Sequence, residues 1–428
     1  MLHLGNHAAL LSICAASLLL GSTAWGNPHS LSDSSHWTLR LPVDLEPAEL
    51  SNGARSLGMG NAFAALADDL RAAVLNPAGL ASLKRMEFAA DLAWSSYELD
   101  YWDGAAARNS IGLGPELGAV SSFDDSSASL PFLGAALPVI PDFLTAAFFI
   151  RSSSFAASDS RDSGLQTVFK GGNLRQQYLS AKEVDTYLLR SYGLATGVTY
   201  SRMLSFGAAL SLDTLNAEMS ETWTSKDYAG KTFSSALRQH EEIDGDDISL
   251  GLSAGVLVKP LSDISTSLSY RKGSSFSLEQ TSTDMICDEA GKCNAIATRG
   301  AEAAFDTPDI WSVGGAWQPV ADLLLSAQVD FVEYSALADA TTEEAVDDGL
   351  IFRMGAEKTF FVSHELACQL RGGFYRVPDH DGFQAIDSDR MNYTLGGGAL
   401  WGTSIRADIG TSFSEDTFSS LFSLTYSL

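Results

Sequence analysis

The chain holds 428 residues, 53 acidic and 27 basic, for a formal net charge of −26. Its basic side chains are too few and too scattered to displace counterions from a phosphate backbone, which excludes nucleic acid as the partner. At 45% hydrophobic and 19% charged residues it is too apolar for a solvated polyanion, and 37 glycines beside 12 prolines do not make a collagen.

Residues 1–26 read as a secretory signal peptide, with the apolar run Ala8 to Leu20 followed by the small residues Gly21 to Ala24. Residues 27–85 form a second region. It has a Ser, Asp and Pro-rich entry, then Asn52 to Leu83, whose small residues, glycines and helix formers lack strand alternation. Gly58-Met59-Gly60 lacks the third glycine and the βαβ context of a dinucleotide loop, so no cofactor is expected.

From residue 86 to 428 the pattern turns to period two. Phe422, Leu424, Tyr426 and Leu428 alternate with Ser423, Thr425 and Ser427. The same alternation recurs at Ile264 to Arg271, Leu325 to Phe331 and Ile405 to Ile409. No later stretch reaches the roughly 18 to 20 apolar residues of a membrane helix, so a membrane location requires strands. Brief turns at 138–142, 201–204, 259–263, 318–322, 361–364 and 402–403 interleave with long polar stretches near 104–127, 158–185, 222–246, 283–304, 338–348 and 377–390. The strands between them number 14. Their parity and the unequal connections predict an all-β fold, an antiparallel transmembrane barrel of the bacterial outer membrane spanning residues 86–428. The six long stretches are expected as outer loops.

Several residues carry narrower expectations. Cys287 and Cys293 lie in one polar segment at a spacing that suits a disulfide, with too few neighbouring ligands for zinc, so no metal is expected. Cys368 is expected as a buried filler. Trp94, Tyr97, Tyr101, Trp317, Tyr334, Tyr375 and Trp401 fall near strand ends and suit a membrane girdle. Arg371, Arg406, Asp408 and Asp330 are expected as ion pairs in the lumen. Asp244, Asp246 and Asp247 read as a solvated loop tip, with cation bridging to lipopolysaccharide as the sharper alternative. Asp379-His380-Asp381 lacks a matching nucleophile, which weighs against a barrel hydrolase. Phe155, Leu165, Phe169, Leu174 and Tyr178 make the stretch around 158–185 greasy, as a surface capturing an oily ligand would be.

The segment Gly53-Ala54-Arg55-Ser56-Leu57-Gly58-Met59-Gly60-Asn61-Ala62-Phe63, followed by Ala67-Asp68-Asp69 and Asn76-Pro77-Ala78-Gly79-Leu80, resembles the start of the FadL-type family of outer-membrane transporters for long-chain fatty acids and hydrocarbons. Gly315 to Pro319 leading into Asp330 to Ser335 resembles a strand pair of the same family. The resemblance implies a 14-stranded barrel with residues 27–85 folded inside as a hatch, carried by Gly58, Gly60, Asn76, Pro77, Ala78 and Gly79. It also implies capture of hydrophobic small molecules outside and their release sideways into the bilayer. A structural or secretion-associated scaffold with a sealed lumen is the alternative.

Overall fold

The structure, a computed structural model, describes residues 52–103, 119–159, 167–170, 173–229, 232–287, 293–337, 348–378, 390–414 and 417–428. The signal-peptide expectation, residues 27–51, Leu165 and Asp379-His380-Asp381 lie outside the described residues.

After two short helices, α1 (Ala54–Gly58) and α2 (Ala72–Leu75), and a 3-10 helix at Pro77–Ser82, the chain is strand throughout. The strands are β1 (Glu87–Asp103), β2 (Ala119–Ile140), β3 (Leu144–Asp159), β4 (Thr167–Lys170), β5 (Asn173–Ser201), β6 (Leu204–Ala229), β7 (Thr232–Leu261), β8 (Ile264–Lys272) and β9 (Ser275–Cys287). They continue as β10 (Cys293–Asp306), β11 (Ile310–Val320), β12 (Leu323–Val332), β13 (Gly349–Phe361), β14 (Leu366–Val377), β15 (Arg390–Trp401), β16 (Ile405–Phe413) and β17 (Thr417–Ser427). Antiparallel ladders join β1-β2-β3-β5-β6-β7-β8-β11-β12-β13-β14-β15-β16-β17 and return to β1, closing a ring of 14 strands. β4 pairs with β5 outside the ring, and the β9–β10 hairpin extends β8 and β11, pairing through β9 with the far end of β7.

Closure leaves each strand one face for lipid and one for the lumen. On β17, Phe422, Leu424 and Tyr426 are exposed while Ser423, Thr425 and Ser427 are buried, as the alternation required. Leu194, Leu210, Leu250, Val313, Leu370 and Leu395 continue the outer apolar belt. Among the described residues no helix is long and apolar enough to cross a membrane, so the strands do the crossing.

All six brief turns stand where expected, at 141–143, 202–203, 262–263, 321–322, 362–365 and 402–404. Three long stretches do not stand as loops. β6 and β7 run on to Ala229 and from Thr232, and strands also occupy much of 158–185 and 283–304. Beyond the belt no lipid sets one face of a strand against the other, so the hydrophobic period disappears from the sequence while the backbone ladder persists. Asp244, Asp246 and Asp247 therefore lie on β7 and not on a loop tip. Asp246 accepts from Asn216 Nδ2 at 3.3 Å, and Asp247 accepts from the Ser277 and Ile248 amides at 2.7 and 2.8 Å.

Trp94, Trp317 and Trp401 are exposed, as a girdle needs, whereas Tyr334 and Tyr375 are buried. Tyr375 sits on the inward phase of β14, with Arg353 over its ring and its hydroxyl 3.2 Å from Ser412 Oγ. Cys368 falls on the outward phase of β14 and is half-buried, which corrects the expectation of a buried filler. Cys287 and Cys293 are direct partners in the β9–β10 ladder. Such partners have Cα atoms about 4.5–5.5 Å apart, within the reach of a disulfide.

A hatch seated in the lumen and a parted wall

Residues 52–83 pack inside the ring, almost every one buried. Small residues make this feasible, because they let the hatch backbone lie directly on the wall. Leu70, Val74, Leu80 and Leu83 pack with Phe132, Ala136, Ala147, Phe149, Ala195 and Ala209 of the wall. Met59, Phe63 and Leu66 pack with Ala316, and Ala54 and Leu57 pack with Ala93 and Leu421.

Wall glycines complete the seat. A Cβ on Gly207 would lie 2.1 Å from the Pro77 carbonyl carbon, and one on Gly355 would lie 2.2 Å from Met59 O. Gly60 adopts φ +63 and donates its N–H to Thr394 Oγ1 at 3.0 Å, a conformation and an approach that only glycine meets easily. Gly58 faces Gly396, and Gly79 lies against Ala67.

Asn76 is fully buried in an extended conformation, ending α2 and opening the 3-10 helix that starts with Pro77. Its Oδ1 accepts from Ala78 N at 3.2 Å, and its Nδ2 donates to Ala64 O at 3.0 Å. Six sequence-selected residues, Gly58, Gly60, Asn76, Pro77, Ala78 and Gly79, thus all lie within the hatch at points of tight packing.

Charge fastens the hatch to several strands at once. Arg55 makes a two-point bond to Glu357, Nε to Oε2 at 2.8 Å and Nη2 to Oε1 at 3.0 Å, and also pairs with Asp68. Glu357 is shared with Arg371, which pairs with Asp408 at 2.8 Å, and Asp408 pairs with Arg406 at 3.1 Å. Arg71 pairs with Asp91 and donates to Thr425 Oγ1 at 3.1 Å. Arg353 pairs with Asp330 at 2.5 Å. The expected lumen ion pairs of Arg371, Arg406, Asp408 and Asp330 are therefore present.

Burial works against the charge on Arg55, yet Asp68 and Glu357 hold its pKa above the ordinary value. Asp69 is pushed up by burial, with the Arg71 guanidinium opposing. Further bonds run from Ala54 N to Ser423 Oγ at 2.8 Å, and from Phe63 N and Ala64 N to Gln328 Oε1 at 3.0 and 2.8 Å. Among the described residues no cluster of His, Cys, Asp and Glu could hold a metal ion.

The wall parts beside this hatch. The β2–β3 ladder ends at Phe132↔Arg151, while β2 stays paired to β1 as far as Ala119 and β3 to β5 as far as Asp159. Pro131 stands at the parting, where its missing N–H cannot continue a ladder, and the β1–β2 register shifts between Asp91 and Ala93. Across the gap, Ser152 Oγ donates to Leu130 O at 2.6 Å.

A cavity of about 80 Å³ lies next to this point, between the hatch residues Ala73 and Val74 and the wall residues Phe149, Arg151, Ser191, Asp213 and Ser274. A second cavity, about 240 Å³, opens toward the short turns under Arg55 and Asp68.

The family model for outer membrane protein transport proteins (OMPP1/FadL/TodX) matches residues 48–417. The chain belongs to this family. Solved structures agree at the level of fold. A Pseudomonas aeruginosa FadL homologue is 16% identical with a TM-score of 0.60, over 88% of this chain and 98% of that one. The P. putida toluene transporter TodX is 14% identical with a TM-score of 0.59, over 89% and 99%. The Ralstonia pickettii toluene transporter TbuX is 14% identical with a TM-score of 0.55, over 89% and 99%. No curated protein matches the chain. As a FadL-family member it is an outer-membrane β-barrel transporter of hydrophobic compounds.

The capture residues Phe155, Phe169, Leu174 and Tyr178 have their backbone on β3, β4 and β5, not on a loop. Sequence reasoning missed Arg151, Asp213 and the wall glycines. Their one signal was weak, namely glycines at inward positions such as Gly207 and Gly355, where an ordinary barrel strand has no need of them.

Proposed function

We propose that this barrel takes up hydrophobic molecules passively, in the class of long-chain fatty acids or hydrocarbons, and releases them sideways between β2 and β3. The observation that carries the reading is the end of the β2–β3 ladder at Phe132↔Arg151, beside a cavity that the hatch floors. That cavity is smaller than the roughly 150 Å³ that holds a benzene ring. Passage of a whole ligand therefore requires the hatch or the parted wall to yield.

Phe155, Leu165, Phe169, Leu174 and Tyr178 supply the outer capture surface, and Gly58, Gly60, Asn76, Pro77, Ala78 and Gly79 set the hatch. Transfer from water is worth about 0.8 kcal/mol per buried methylene, so capture needs no energy source. The exposed belt faces outer-membrane lipid, and the outer rim faces lipopolysaccharide. No step calls for catalysis. The relatives described as toluene transporters support a hydrocarbon.

A cysteine pair at Leu130 and Ser152 tests the route, since the Ser152 hydroxyl reaches the Leu130 carbonyl. Oxidation is expected to abolish uptake of labelled toluene into proteoliposomes, and reduction to restore it, with the parent barrel unaffected by either treatment. Undiminished uptake by the oxidised pair would overturn sideways release.

A further inference from the structure

The cavity at the parted wall is not lined like a channel for a bare hydrocarbon. Its floor is apolar, with Ala73, Val74 and Phe149, but its side holds the carboxylate of Asp213 and the guanidinium of Arg151. Asp213 is 7% exposed; its Oδ2 accepts from the Ser274 hydroxyl, and its Oδ1 has no hydrogen-bond partner. Arg151 makes no hydrogen bond among the described residues, although it is half-buried, shares this cavity and has its charge attracted by Asp213. Two other cations reach the lining. Arg271 is already engaged, and Lys272 falls on the outward phase of β8 and is exposed.

One acceptor and one donor thus stand without a hydrogen bond in a single small space, and a buried carboxylate oxygen left without one loses the free energy of its hydration. A bare hydrocarbon admitted here would leave both without a hydrogen bond. A carboxylate would suit Arg151 but bring a second negative charge beside Asp213, with no proton to offer Oδ1. A hydroxyl meets both needs, donating to Asp213 Oδ1 while its oxygen accepts from Arg151.

We propose that the cavity, widened as the hatch or the parted wall yields to a ring, selects hydrophobic ligands bearing a neutral hydroxyl, a phenol or an alcohol, with Asp213 and Arg151 as the selecting residues. The proposal rests on the reading above that the barrel takes up hydrophobic molecules, and adds that those bearing a neutral hydroxyl bind best at this cavity. Ser274 fixes the polarity of the site, because its hydroxyl occupies one carboxylate oxygen and leaves the other for ligand.

Three probes of matched shape test it: p-cresol, toluene and 4-methylbenzoate, measured by equilibrium dialysis against the barrel in lipid nanodiscs with empty nanodiscs subtracted. The wild-type barrel is expected to bind p-cresol about tenfold or more tighter than either other probe, the factor for a hydrogen bond to a charged group. In Asp213→Asn the amide oxygen keeps the Ser274 bond and turns its NH₂ to the cavity. Binding of p-cresol then falls about tenfold, while that of 4-methylbenzoate rises above wild type. Arg151→Met weakens p-cresol and 4-methylbenzoate and spares toluene.

Tightest wild-type binding of 4-methylbenzoate, equal binding of all three probes, or an equal loss of all three in Asp213→Asn would each overturn the proposal. Toluene uptake into proteoliposomes, measured alongside, separates the two readings. Uptake without a hydroxyl preference leaves transport standing and refutes the selectivity, whereas neither binding nor uptake of any probe refutes both.

Discussion

Gly207→Ala isolates the seating of the hatch from the integrity of the barrel. The added Cβ would lie 2.1 Å from the Pro77 carbonyl carbon, 2.2 Å from Ala78 N and 2.4 Å from Pro77 O, all hatch backbone with no side chain to swing aside. Ordinary contact begins near 3.4 Å, so the hatch must retreat by about 1.3 Å, the difference between 3.4 and 2.1 Å. Overpacking of this kind costs about 1–3 kcal/mol, which multiplies the population of an unseated hatch by about 5- to 150-fold. The β5–β6 and β6–β7 ladders around Gly207 involve only backbone and remain intact. The assay is release of an entrapped small polar dye from proteoliposomes, with heat-modifiable migration on gels reporting barrel assembly. Gly315→Ala is the matched control, because nothing lies within 4 Å of its added Cβ. Faster release from Gly207→Ala and none from Gly315→Ala is expected. If Gly207→Ala proved as tight as wild type while fully assembled, the claim that wall glycines hold the hatch would be wrong.

Arg55→Met strands Glu357 and Asp68 without their shared cation, and loss of one partner of a buried pair costs about 3–5 kcal/mol. Hydrogen exchange at residues 54–66 should rise by orders of magnitude while β13 stays protected; equal exchange in both proteins would refute the latch. Serine at Phe155, Phe169 and Tyr178 together should weaken uptake at limiting substrate and leave uptake at saturation unchanged, which a substrate titration in cells reads directly. Replacing Asn76 and Pro77 with alanine should instead alter passage, raising dye release or lowering the maximal rate. Cys287 and Cys293 should resist alkylation until reduced, as their ladder pairing requires. Free thiols in the exported protein would dismiss that bond.

The membrane-spanning part of the barrel was written in the sequence by itself. An outward residue must be greasy and its neighbour polar wherever lipid lies on one side and the lumen on the other, so Phe422 to Leu428 and Leu325 to Phe331 declared their faces. The six brief turns and the strand number followed from the same contrast. Where no lipid sets one face against the other the contrast vanishes, which is why the far halves of β6 and β7 read as loops. Tyr334 and Tyr375 were misplaced for a related reason, since an aromatic ring satisfies a lipid interface or a lumen packed by a hatch equally well.

The hatch block was legible as a family-like segment rich in small residues, but not the wall that receives it. Gly207 meets Pro77 across 130 positions of chain, and Glu357 joins Arg55 across 302. Local sequence carries no record of which strand the ring will place opposite which. The tertiary structure alone decided that β2 and β3 part at Pro131, and that Arg151 and Asp213 come to share one cavity. Both follow from barrel closure, which sets side by side residues whose separation along the chain says nothing about their distance in space.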